Sequence, residues 1–113
     1  MKNIFRLLTL TTALLCLGIA MPASADEDSL VLTLKNHRFE PQTIEIPADK
    51  KIKLTVKNLD ATPEEFDSDD LHREKLIPAG KEAVVYIGPL KPGSYKFVGE
   101  YNASTATGVV VVK

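Results

Sequence analysis

The chain is expected to fold as an all-β sandwich of two antiparallel sheets with about seven or eight strands. Three features predict this. Apolar residues recur at every second position rather than at helical spacing. The alternating runs are short and are separated by turns rich in proline, glycine and aspartate. No cysteine follows Cys16, so a domain beyond that point is held by packing alone.

The first 25 residues read as an export signal: basic Lys2 and Arg6, an apolar run from Leu7 to Ala20, then Pro22-Ala23-Ser24-Ala25. Small residues at 23 and 25 suit cleavage before Asp26. The apolar run is too short for a membrane span, and Leu15 before Cys16 is too bulky for a lipoprotein cleavage box. Removing 25 of 113 residues leaves 88, which is one domain over 26–113 with no membrane insertion of its own. Met1, Cys16 and Met21 leave with the signal, so the mature chain carries no sulfur.

Strands follow in order. Leu30, Leu32 and Leu34 share one face, as do Ile44 and Ile46. The clearest alternation is Lys51-Ile52-Lys53-Leu54-Thr55-Val56-Lys57, a half-buried strand with a lysine-rich outer face. A further strand is expected between Glu65 and Leu76, then one at Val85 and Ile87 and one at Tyr95 and Phe97. Val109 to Val112 is apolar on both faces. Turn chemistry sits at Pro47 to Lys50, at Pro78-Ala79-Gly80 and at Pro89-Leu90-Lys91-Pro92-Gly93.

Composition excludes several functions. Lys2 and Arg6 go with the signal, so 12 of the 14 basic residues remain against all 15 acidic ones, a net charge of −3. With no basic patch, the chain is not a nucleic-acid binder. Two scattered histidines and no later cysteine give no nucleophile and base pair, so it is not a hydrolase. Asp67-Ser68-Asp69-Asp70-Leu71-His72 lacks the glycine and the terminal glutamate of an EF-hand calcium loop.

Phe39-Glu40-Pro41, Ile44 to Ala48, Ile52 to Asn58, Pro92-Gly93-Ser94-Tyr95-Lys96-Phe97 and the final strand at Gly108 together resemble the cupredoxins. The resemblance implies a cupredoxin-like Greek-key sandwich. The stretches Ala61 to Ser68, Leu71 to Lys75 and Gly88 to Gly93 are similar to the cupredoxin domain of EfeO-type iron-uptake proteins. A stand-alone exported copy also resembles the small cupredoxin of Ftr-type ferrous-iron transport systems. These likenesses imply a periplasmic location and iron-permease or other periplasmic iron-uptake components as partners.

A blue-copper centre needs two imidazoles and a thiolate, usually with an axial thioether. At the matching positions this chain has Glu64 or Glu65, then Gly99-Glu100-Tyr101-Asn102, then Ala106-Thr107-Gly108. The resemblance brings these segments to one end of the sandwich, with Asn36-His37-Arg38 arriving nearby. It implies a carboxylate-rich, non-blue site of Glu65, Asp67 and Glu100, with His37 as a further ligand and Glu64 as the alternative to Glu65. Such oxygens suit an iron ion, or a copper ion as Cu(II), better than Cu(I). If Phe66 points inward, Glu65 and Asp67 face away from the core and Glu64 faces into it.

Plainer readings stand beside these. A run of acidic residues is commonly a solvated loop, and a lone histidine such as His37 or His72 is commonly a surface residue. The expected function is a metal or electron carrier in iron uptake, with at most an accessory iron-oxidase activity. The alternative is a metal-free module that docks to a transporter component.

Overall fold

The computed structural model describes residues 28–113, so the export signal expected over 1–25 lies outside the described residues. Nine strands form two sheets: β1 (Asp28–Lys35), β2 (Arg38–Glu40), β3 (Thr43–Ile46), β4 (Ile52–Asn58), β5 (Glu64–Ser68), β6 (Arg73–Ile77), β7 (Glu82–Ile87), β8 (Gly93–Gly99) and β9 (Thr107–Val112). The first sheet runs β2-β1-β4-β7 and the second β3-β9-β8-β5-β6. A single 3₁₀ turn, Glu100–Asn102, joins β8 to β9. No helix among the described residues is long and apolar enough to cross a membrane.

The alternation read from sequence is the burial seen in space. Ile52, Leu54 and Val56 of β4 are buried while Lys53, Thr55 and Lys57 face outward. Leu32 and Leu34 of β1, Ile44 and Ile46 of β3, and Val85 and Ile87 of β7 complete the interior from their own faces. Each large apolar side chain taken out of water this way contributes about 1.5–3 kcal/mol. Phe39, Phe66 and Phe97 form an aromatic cluster at the centre. Phe66 stacks on Phe97 with ring centroids 5.1 Å apart, and Phe39 meets Phe97 edge-on at 5.3 Å.

Two features differ from an all-antiparallel sandwich of seven or eight strands. β1 pairs with β4 in parallel, and β3 pairs with β9 in parallel, because the chain crosses between sheets after β2 and again after β3. The stretch expected to hold one strand between Glu65 and Leu76 is a hairpin, with β5 and β6 in antiparallel register from Glu64 opposite Ile77 to Ser68 opposite Arg73. β2, only three residues long, was too short to leave a period.

The topology gathers several chain turns at one end. β1 and β4 run parallel and finish there, β5 begins there, and β8 leads there into the 3₁₀ turn. That end holds most of the residues singled out from sequence.

Candidate functional site

Strand alternation sorts the acidic residues of β5. Glu64, Phe66 and Ser68 are buried, whereas Glu65 and Asp67 lie half-buried on the outward face. Phe66 is fully enclosed, so Glu64 is the inward carboxylate. Its side chain is only 1% exposed.

A buried carboxylate requires donors, and Glu64 has them. One oxygen, Oε1, accepts from the Tyr101 backbone N–H at 2.7 Å and from the Glu65 N–H at 3.0 Å. The other, Oε2, accepts from Asn102 Nδ2 at 2.8 Å. Hydrogen bonds to a carboxylate are roughly twice as strong as neutral ones, so this group fastens the 3₁₀ turn to the start of β5. Gly99 permits the approach: a Cβ there would lie 2.7 Å from the Glu64 carboxyl and 2.8 Å from the Ala106 Cβ. The Asn102 carbonyl closes the turn by accepting from the Thr105 and Ala106 N–H groups.

On the outer face Glu65, Asp67 and Glu100 come together as one acidic surface, with Asp69 beyond. A hydrogen bond shared with Asp67, then the Asp67 charge, hold the Glu100 carboxyl above the ordinary glutamate range, and the charges of Glu65 and Asp69 add to this. Glu100 itself is fully exposed. Among the described residues, no three His, Cys, Asp or Glu side chains converge as a ready metal cluster. These carboxylates share a surface rather than a common point.

His37 lies at the same end, in the turn after β1, but is engaged by Asp60 and joins no carboxylate cluster among the described residues. Asn36 and His37 form the two-residue turn between β1 and β2, both with positive φ, and their N–H groups donate to Asp60 Oδ1 at 2.7 Å and Oδ2 at 2.9 Å. The imidazole Nδ1 lies 3.6 Å from Asp60 Oδ2. Asp60 is in turn set by Asn58, whose Oδ1 accepts the Asp60 N–H at 2.9 Å. Asn58 is fully buried, and its Nδ2 donates to the carbonyls of Thr62 and Ile77. This Asn58 and Asp60 corner escaped the sequence reading, although an Asn followed two residues later by Asp after a strand is an Asx-turn signal.

The remaining loop residues are structural. Ser68 Oγ donates to the Lys96 carbonyl and Asp70 Oδ2 accepts the Lys96 N–H, so two side chains extend β5 onto β8 where backbone pairing stops.

With this geometry in hand, the fold is that of a cupredoxin. Residues 7–112 match the Cupredoxin-like domain family, and the chain belongs to that family. An uncharacterized protein of Rickettsia prowazekii is 42% identical over 81 residues, 72% of this chain and 65% of that protein, so the match leaves about a third of the relative unmatched. The Cu(I)-bound metal-binding domain of the Cu(I)-exporting P-type ATPase of Streptococcus pneumoniae D39 superposes with a TM-score of 0.71 at 13% identity, covering 81% of this chain and 91% of that one. The solution structure of an apo copper-binding protein superposes at 0.69 with 18% identity, covering 81% and 93%. At these identities the two structures speak for the fold alone.

Blue-copper chemistry does not fit the residues present. No thiolate or thioether exists beyond Met21. The interior position facing the 3₁₀ turn is filled by the Glu64 carboxylate, whose oxygens are already engaged by Tyr101, Glu65 and Asn102.

Proposed function

We propose that this is an exported, periplasmic cupredoxin-like protein of an iron-uptake system. Its outward carboxylates Glu65, Asp67 and Glu100 take iron or Cu(II) as cargo and pass metal or an electron to membrane partners such as an iron permease. The observation that carries this reading is the placement of Glu65 and Asp67 on the outward face of β5 with Glu100 hydrogen-bonded to Asp67 beside them. Glu100 and Asp67 are near enough to share a proton, and oxygen donors suit iron in either oxidation state. An open, exposed surface suits cargo that must leave again. Neighbours named for copper binding support a metal-handling role for the fold, and the lack of sulfur argues for oxygen ligands.

Separate calorimetric titrations of the purified protein with Fe²⁺, Fe³⁺ and Cu²⁺, repeated on Glu65→Ala with Glu100→Ala, test the reading. Saturable binding lost in the double variant is expected. Equal heats in parent and variant would refute it.

A second reading is a metal-free docking module for a transporter component. The closed Glu64 network favours it, since this end of the fold is ordered by its own side chains. In that case capture of a permease component survives the two alanine changes and an excess of chelator.

A further inference from the structure

The two outer faces of the sandwich carry opposite charge, each around exposed apolar side chains. On the first sheet, Val31 and Leu59 are 51% and 58% exposed and lie in an open groove of about 850 Å³. Lys35 and Arg38 line it and stand directly opposite each other in the β1–β2 register. Like charges so placed repel. Lys57 of β4 sits beside Thr33 on the same outward face with Glu82 of β7 opposite it, and Glu40 is the lone carboxylate lining the groove.

The second sheet mirrors this with the signs reversed. Asp67 stands directly opposite Glu74, and Glu65 opposite Leu76, which is 50% exposed. Tyr101, 54% exposed, follows Glu100 in the 3₁₀ turn. The cations on that side are Lys96, which lies against Asp69 and Asp70 at the far end of β5, and Lys113, which is paired with Glu45 of β3 at 3.2 Å, while exposed Arg73 and Lys75 flank Glu74 on β6.

From this complementarity we infer that a second copy of this chain docks its acidic β5 face, with Glu74 of β6, onto the basic groove lined by β1, β2 and Leu59. The contact seats Leu76 or Tyr101 against Val31 and Leu59 and sets Glu65 and Glu74 against Lys35 and Arg38. Both self-repelling pairs, Lys35 with Arg38 and Asp67 with Glu74, then gain partners of opposite sign. Because the faces lie on opposite sides of one molecule, the contact is heterologous and copies add in a row. Exposed ion pairs are individually weak and screened by salt, so the association is reversible and strongest at low ionic strength. It does not depend on the cargo reading.

Sedimentation velocity with chelator present throughout tests the inference, using the parent, Lys35→Glu with Arg38→Glu, and Glu65→Lys with Glu74→Lys. The parent is expected to gain mass with concentration at low salt and to return to monomer at high salt. Each charge-reversed protein should associate at least about tenfold more weakly. An equimolar mixture of the two should recover association, since the intact acidic face of one meets the intact groove of the other and the two reversed faces are again of opposite sign. Of the four substituted positions Lys35, Arg38 and Glu74 are exposed and Glu65 is half-buried, and circular dichroism confirms that each variant is folded; if one is not, the other still decides. A parent that stays monomeric at low salt, or variants that associate like the parent, would overturn the proposal. So would a monomeric parent that sediments with anionic phospholipid vesicles, which would assign the groove to lipid headgroups instead.

Discussion

Glu64 and Glu65 are neighbours in sequence and face opposite sides of the same strand. The inward carboxylate accepts three hydrogen bonds, so Glu64→Ala leaves the Tyr101 N–H and the Asn102 amide without their acceptor. Hydrogen bonds to a charged group contribute about 1.5–3 kcal/mol, and a loss of about 2–3 kcal/mol is expected in urea unfolding, with Glu64→Gln losing less. Gly99→Ala should be similarly harmful, because Ala106 beside it cannot swing away as a long side chain would. The outward carboxylates predict a pH effect of fixed sign. Glu100 titrates above its ordinary range because of Asp67, so the folded state keeps a proton that the unfolded chain has released. Stability therefore falls as pH rises through that window. Glu100→Gln should melt higher than the parent at neutral pH and equally in strong acid. In Asp67→Asn, NMR titration should find the Glu100 carboxyl closer to the ordinary range.

At the scale of elements, the corner after β4 holds two hairpins at once. Asn58 ties β4 to the end of β6, and Asp60 caps the Asn36-His37 turn. Asn58→Ala removes a fully buried amide and strands the Ile77 carbonyl, so it should destabilise by about 1–3 kcal/mol, whereas His37→Ala should barely move the urea midpoint. Such side-chain ties explain what the sequence disclosed and what it concealed. β1 and β4 were legible because their alternation is long enough to define a face, and β9 because its valine run is apolar on both. β2 spans one inward residue, Phe39, which carries no period. The inward turn of Glu64 was deducible only through Phe66, because alternation gives relative faces and the aromatic core sets which face is inside. Glu65, Asp67 and Glu100 could be grouped only through the family resemblance, since Glu100 follows β8 more than thirty positions along the chain and no period links it to β5.

For the whole molecule, charge is distributed by sheet. A chain of modest net charge thus presents one basic and one acidic face, and salt is the variable to which its encounters respond. If the acidic face both carries cargo and meets a second copy, cation loading competes with assembly. Adding Fe³⁺ at low salt should then dissolve the higher-mass species, which sedimentation would register as a return to monomer.

The buried carboxylate of Glu64 stands at the end of the sandwich where β8 turns into the 3₁₀ segment. Here the loop is already closed by amide and backbone donors, so its order does not wait on cargo. The protein should refold at the same rate, and melt along the same curve, in strong chelator as in metal-free buffer.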